Sequence, residues 1–287
     1  MAALSPMMQQ YFDIKKQHPD KILFFRLGDF YEMFYDDAIL ASKELELTLT
    51  GRDCGQEERA PMCGVPFHSY ENYVARLIAK GYKVAICEQM EDPALAKGLV
   101  KRDIIRVVTP GTVIESSMLQ DDKNNYIASI YITEKKAGVC FADVSTGTAH
   151  ATVLTGEKLG PEIISELCRY SPSEVLFNAA ILDYKEVTAY IKQQLACSVE
   201  LLDEAAFAPD ACMEEMRAQF GDAPEKTAGL APESPAFTAL AVLLGYLKET
   251  QKKGVERLKT VHNYAEAQYM QLSPVTRANL EDRKSVV

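Results

Sequence analysis

Hydrophobic positions recur with helical spacing in some stretches of the chain and with strand spacing in others, and the switches between them mark the elements. Met8, Tyr11, Phe12 and Ile14 form an apolar stripe behind Ser5-Pro6, a cap residue followed by a proline suited to a first helical turn. His18-Pro19-Asp20 stops that helix. Residues 22–35 read as a strand: an apolar run to Phe25, a break at Arg26 and Gly28-Asp29, then alternation. At a period of two, Phe30, Glu32 and Phe34 share one face, and Tyr31, Met33 and Tyr35 share the other. Asp36-Asp37 cap a helix over 38–46 and place acids at its positive end. Residues 47–50 alternate as a second strand, 51–60 form a polar loop with Arg52 and Arg59, and 61–68 form a stiff, turn-rich connection. Ser69 opens a helix with Tyr73, Leu77 and Ile78 facing inward, closed by Gly81. Strands at 84–87 and 104–108 flank a loop holding Asp92-Pro93, Lys97, Lys101 and Arg102. The result is a compact α/β unit.

The pattern changes after Gly111. Residues 116–125 are polar and read as a linker, and strands follow at 126–133, 138–144 and 149–154, with Gly147 at a tight turn. Helices at 161–169 and 184–195 then alternate with strands at 174–177 and 199–202. A meander followed by such alternation predicts a mixed sheet with helices on its faces. A helix at 211–220, a loose Pro/Gly/Ala-rich loop at 221–235 and a long apolar helix at 236–253 come next, and 264–272 alternates again. The end of the chain is charged and reads as the start of a truncated element.

At 287 residues, more than one domain is expected. Hydrophobic residues make up 47% of the chain and charged ones 25%, enough for a real core. No apolar run reaches the ~18 residues of a membrane helix, and no basic-then-apolar leader pattern opens the chain, so a cytoplasmic protein with no membrane partner is expected. The seven cysteines are scattered without a C-x-x-C pair and read as reduced structural thiols. A net charge of −10 argues against broad contact with nucleic acid, but it is unevenly spread. Residues 1–110 hold 14 Lys and Arg against 16 Asp and Glu; residues 111–287 hold 17 against 25. Only the first part is neutral enough to carry a local basic face.

No phosphate-binding G-x-x-x-x-G-K-[ST] loop occurs, and neither does G-x-S-x-G or H-E-x-x-H. Asp143, on the central strand of the meander, sits where an RNase H-like nuclease holds a metal-binding acid, with Glu166 and Asp183 as candidate partners. The alternative is that Asp143 hydrogen-bonds the adjacent Ser145-Thr146-Gly147 turn. The Phe30, Glu32, Phe34 face is odd for a core, because a buried charge needs a partner, and odd for a solvent face, because two phenyl rings would be wetted. Such a face suits a surface that is part apolar and part hydrogen-bonding, such as stacked bases; an edge strand with one ring tucked inward is the alternative.

The run from Gly28 to Ala38, GDFYEMFYDDA, closely resembles the mismatch-sensing segment of the MutS family of bacterial DNA mismatch-repair proteins. So do, in the same order, APMCGVPFH at 60–68, Glu71-Asn72-Tyr73, VAICEQ at 84–89 with Asp92-Pro93, and VVTPGT at 107–112. The run FADVSTG at 141–147 is similar to the family's connector domain, and Thr276-Arg277-Ala278-Asn279-Leu280-Glu281 to the start of its lever. The resemblance implies a mixed α/β chain: a mismatch-binding domain at 1–112, a linker at 113–125, an RNase H-like connector at 126–258, and the truncated start of a helical lever at 259–287. It implies that Phe30 enters the minor groove and stacks on a mispaired or unpaired base, that Glu32 hydrogen-bonds that base, and that Arg52, Arg102 and, more weakly, Lys101 touch the DNA backbone. It further implies double-stranded DNA with mismatches and a MutL-type protein as partners. ATP and Mg, and homodimerisation, belong to the full-length family; this stretch is expected to hold no cofactor and no enzymatic activity. Docking of a MutL-type partner through the connector is the alternative function.

Overall fold

The computed structural model describes residues 4–92, 98–115, 118, 124–252 and 254–264. The chain divides into two units, the first made of residues up to Pro110 together with 250–252 and the second of the rest. Lys97 and everything expected of residues 265–287, including the 276–281 motif, lie outside the described residues.

The first unit opens with α1 (Pro6–Gln17), whose Met8 N–H donates to the Ser5 hydroxyl. β1 (Ile22–Leu27) and β2 (Phe30–Phe34) follow as an antiparallel hairpin. The expected single strand over 22–35 is therefore two. Gly28, at a left-handed φ of 56°, takes the conformation that reverses the chain between them. α2 (Tyr35–Leu45) starts directly after β2, so Asp36 and Asp37 lie inside its first turn instead of capping it. Asp37 is buried and ties the unit together, accepting from Lys15 Nζ at 2.9 Å and from the Leu23 N–H at 2.9 Å. β3 (Thr50–Arg52) and β4 (Ala60–Pro66) extend the sheet. The turn-rich connection expected over 61–68 is thus mostly a strand: Cys63 and Val65 are buried while Met62 and Gly64 are less so, which is strand alternation disguised by two prolines. α3 (Tyr70–Ala79), β5 (Val84–Gln89) and β6 (Arg102–Val108) complete the unit. Val74 joins Leu77 and Ile78 on the buried face of α3, and the Ser69 side chain does not cap it. The sheet order is β3-β4-β2-β1-β5-β6, with only β1 and β5 parallel. Met8 and Tyr11 of α1 pack on Leu23, Phe25 and Phe34 of one sheet face.

In the second unit β7 (Tyr126–Thr133), β8 (Lys136–Asp143) and β9 (Thr148–Leu154) form the meander. Then come α4 (Leu159–Tyr170), β10 (Glu174–Phe177), α5 (Lys185–Tyr190), β11 (Ser198–Leu201), α6 (Pro209–Phe220), α7 (Pro224–Ala228), α8 (Pro235–Gln251) and β12 (Thr260–Asn263). The order is β11-β10-β7-β8-β9-β12. Both faces are covered, so successive residues of β8 enter different cores: Val139 and Phe141 pack toward α4 and α5, Cys140 and Ala142 toward α6 and α8. α8 passes so close to β8 that a methyl group at Gly138 would collide with the Pro235 carbonyl. Two expectations change here. The loose loop over 221–235 contains a short helix, and residue 259 does not open a helical element: β12 pairs in parallel with β9 as the edge strand of this sheet.

Candidate nucleic-acid interface

The face of β2 predicted to be odd runs from solvent to core along its length. Phe34 is fully buried beside Tyr11 and Phe25, the Glu32 side chain is 15% exposed, and Phe30 is 46% exposed. The opposite face is ordinary core, with Tyr31 and Met33 buried. Only one phenyl ring is therefore wetted. It stands at the end of the strand, next to the Gly28-Asp29 turn.

Strand directions gather other residues at that end of the sheet. β4 runs antiparallel to β2 and pairs Pro66 with Phe30, which brings Phe67 to the turn, and the Phe67 N–H donates to the Asp29 carbonyl at 2.9 Å. β5 runs parallel to β1, so the β5–β6 connection emerges at the same end, where Met90 and Lys101 are exposed. The Met90 N–H bonds the Lys101 carbonyl, and the Lys101 N–H bonds Glu91 Oε1, both near 2.9 Å. Aromatic, apolar and cationic groups thus converge on one edge of the sheet.

Glu32 is held by Arg52, whose Nη1 donates to Oε2 at 2.7 Å. Burial raises the Glu32 pKa above the ordinary carboxylate value, and the Arg52 charge only partly offsets this. Glu32 also faces Gly64 of β4, where an added Cβ would press on the Glu32 side chain at 3.3 Å. Arg102 is placed differently from Arg52. It is buried, its guanidinium lies 5.0 Å from the Phe25 ring, and it donates to the Arg26 carbonyl, the Val100 carbonyl and Gln10 Oε1 at 2.8–3.0 Å. Those bonds hold α1, β1 and β6 together and keep the Arg102 side chain in the fold. Sequence reasoning missed Phe67 and gave Arg26 no role. Phe67 follows a Pro-x-x-x-x-Pro stretch that hides its strand, but its position just past Pro66 and before the helix was visible.

In the second unit the three acids considered for metal binding do not form a group. Asp143 Oδ1 accepts from the Ser145 N–H and hydroxyl and from the Thr146 N–H, which fits the turn reading. Glu166 is engaged by Tyr264 and lies 3.8 Å from Arg169, and Asp183 lies in a short 3₁₀ turn. Among the described residues no cluster of three His, Cys, Asp or Glu could hold a metal ion. None of the seven cysteines forms a disulfide, six of them are buried, and no helix among the described residues is long and apolar enough to cross a membrane.

Two consecutive α/β units define the class: a first sheet that exposes a ring at the end of an inner strand beside a largely buried carboxylate, and a second sheet in the 5-4-1-2-3 order of RNase H-like folds, extended by one strand. Residues 5–117 match the family model for MutS domain I and residues 125–261 that for MutS domain II. The chain belongs to the MutS family and carries these two domains. It is 49% identical over 281 residues to the DNA mismatch repair protein MutS of Ruminiclostridium cellulolyticum, and 48% identical over 285 residues to that of Acetivibrio thermocellus. The alignments cover 98% of this chain but 32% of each relative, so the chain spans about a third of the length of the curated relatives it matches.

Proposed function

We propose that this chain recognises mismatched or unpaired bases in double-stranded DNA and so serves the first step of mismatch repair. Phe30 enters the minor groove and stacks on the defective base, and Glu32 hydrogen-bonds it. The observation that carries this reading is the gradient along β2: a ring left 46% exposed at the strand tip, two residues from a carboxylate whose pKa is raised by burial. Inserting an apolar wedge unstacks a base step at a cost of a few kcal/mol and kinks the duplex. The cost is least where pairing is already defective, so selectivity is read from deformability more than from base identity. Glu32 repels the phosphates of intact duplex, and against a mispaired base it takes up a proton and donates. Arg52 and Lys101 are the backbone contacts; Arg102 serves the fold. ATP and Mg chemistry is assigned to no residue of this chain. Fluorescence anisotropy with a labelled mismatched duplex and its perfect counterpart tests the reading. Phe30→Ala should bring the two affinities together, losing stacking worth roughly 1–3 kcal/mol while the fold is kept. An unchanged ratio would show that Phe30 is not the wedge. Phe30→Tyr, which keeps the ring, should be milder.

A second reading is favoured by the edge strand β11, where Val199 and Leu201 are 48% and 53% exposed on one face. An acidic unit with an open, apolar edge suits a protein partner that adds a strand, of the MutL type. Binding of purified MutL-type protein, weakened by Val199→Lys with DNA binding intact, would support it.

A further inference from the structure

Phe30 projects from a two-residue turn, and a wedge pushed into a base stack is only as stiff as the turn behind it. Both carbonyls of that turn are tied. The Gly28 carbonyl accepts from Arg26 Nε, and the Asp29 carbonyl from the Phe67 N–H at 2.9 Å. The two ties are joined to each other, because the Arg26 guanidinium carbon sits over the Phe67 ring, 3.8 Å from its centroid. The far side of Arg26 is fixed as well. Its Nη1 lies 3.4 Å from Glu88 Oε2, and that same oxygen accepts from the Tyr31 hydroxyl at 2.8 Å. Tyr31 is the cross-strand partner of Arg26, and its ring packs on Tyr70 with centroids 4.9 Å apart. The chain Glu88–Arg26–Phe67 therefore runs from β5, behind the turn, to the start of the segment leading into α3. Arg26 shares the face of its cross-strand partner Tyr31, opposite Phe30 and Glu32.

We propose that Arg26 and Phe67 are positioning residues that fix the Gly28-Asp29 turn and thereby the height and angle at which Phe30 projects. This rests on the wedge reading above. The role demands a planar cation: Lys in place of Arg26 keeps the charge beside Glu88 but has neither the Nε donor for Gly28 nor a flat face for the ring. It also demands a ring at 67, since the stack is a cation–π contact.

The test uses the 287-residue chain with two readouts. Hydrogen exchange of the 27–31 amides in the DNA-free chain reports how firmly the turn is held. The ratio of mismatched to perfect duplex affinity, with 2-aminopurine beside the mismatch to report unstacking, shows what the turn does for the wedge. Arg26→Lys and Phe67→Leu should each speed exchange at 27–31. Each should also lower the affinity ratio to a value between wild type and Phe30→Ala, with the 2-aminopurine signal falling in parallel. Phe67→Tyr keeps the ring and should match wild type in both. The proposal is overturned if Arg26→Lys leaves exchange at the turn unchanged, or if Phe30→Ala lowers the ratio while Arg26→Lys and Phe67→Leu do not. A Phe30→Ala chain with an unchanged ratio overturns the wedge reading itself, and the positioning role with it.

Discussion

Arg52 Nη1 donates to Glu32 Oε2 across 2.7 Å, so this partly exposed cation is neutralised by the carboxylate that would meet the base. A phosphate that draws Arg52 away leaves Glu32 buried without its partner, and a buried carboxylate without a partner takes up a proton. The pair thus links backbone contact to the hydrogen-bonding state of Glu32. Glu32→Ala removes the repulsion and frees Arg52 for phosphate. Homoduplex affinity should rise relative to heteroduplex affinity, with a steeper salt dependence; Glu32→Gln should lie between. A Glu32→Ala chain that binds every duplex more weakly would sink the idea that this carboxylate guards against intact DNA.

The same pair predicts a stability difference in the absence of DNA. Burial holds the Glu32 pKa above its ordinary value of 4.5. The folded chain therefore binds this proton more tightly than the unfolded chain. The stability contributed by the group is present in acid and lost as pH rises from about 4.5 through the folded value. Glu32→Gln, which cannot ionise, should gain stability relative to wild type between about pH 4 and pH 7, measured by urea denaturation at each pH. A wild type that gains on the variant over that range would mean that the Arg52 contact outweighs burial.

Much of the first unit was legible because its helices carry a clean apolar stripe and its central strands are short apolar runs. What failed was punctuation. Gly28-Asp29 looked like an irregularity inside one strand, yet it is the turn that places Phe30 at a tip. Pro61 and Pro66 looked like loop residues, yet the chain between them alternates and pairs with β2. Of the site, Phe30 and the Glu32–Arg52 pair were visible as residue types on one face or in a neighbouring polar loop. The burial of Arg102 was not, because its acceptors come from residues 10 and 26, and no local pattern announces contacts that distant in sequence. Phe67 and Arg26 escaped for the same reason: their stack exists only once β4 is folded beside β2.

His150 of β9 and His262 of β12 stack with ring centroids 5.0 Å apart, and this predicts an acid-sensitive edge to the second sheet. His150 also faces Tyr126, Tyr170 and the charge of Arg169. Burial first, then His262 and Arg169, lower its pKa below the ordinary 6.5. The unfolded chain then binds this proton more readily, so stability from this group is present above about pH 6.5 and is lost as pH falls through the folded value. Thermal unfolding of the second unit should show this loss, and hydrogen exchange at 260–264 should speed up with it. His262→Asn removes the like-charged neighbour and should flatten the dependence. Equal acid sensitivity in the variant would mean that burial of His150, and not the charge of His262, sets the dependence.

The last prediction concerns how the 287-residue chain behaves alone on DNA. Phosphate contacts supply most of the affinity of a protein for duplex, and each adds about 0.9 to the slope of log affinity against log salt. Of the three cations the family resemblance assigns to the DNA backbone, two remain available to phosphate among the described residues. Arg52 is partly exposed but paired with Glu32, Lys101 is exposed, and Arg102 is buried in the fold. Two contacts give a slope of roughly −2, shallow for a specific DNA-binding protein. The chain also spans only 32% of its relatives' length, so any second DNA-holding arm supplied by the remaining two thirds is missing from the test protein. Linking two weak sites multiplies affinity through effective concentration, and that gain is lost with one site alone. The chain should therefore bind a mismatched duplex weakly, lose little more as salt rises, and show no ATP hydrolysis. Anisotropy titrations across salt concentrations, beside a phosphate-release assay on the same protein, measure all three. Tight binding at physiological salt, or a slope well beyond −2, would reveal basic contacts other than Arg52 and Lys101. Hydrolysis by clean protein would reveal a nucleotide site that none of the residues described here accounts for.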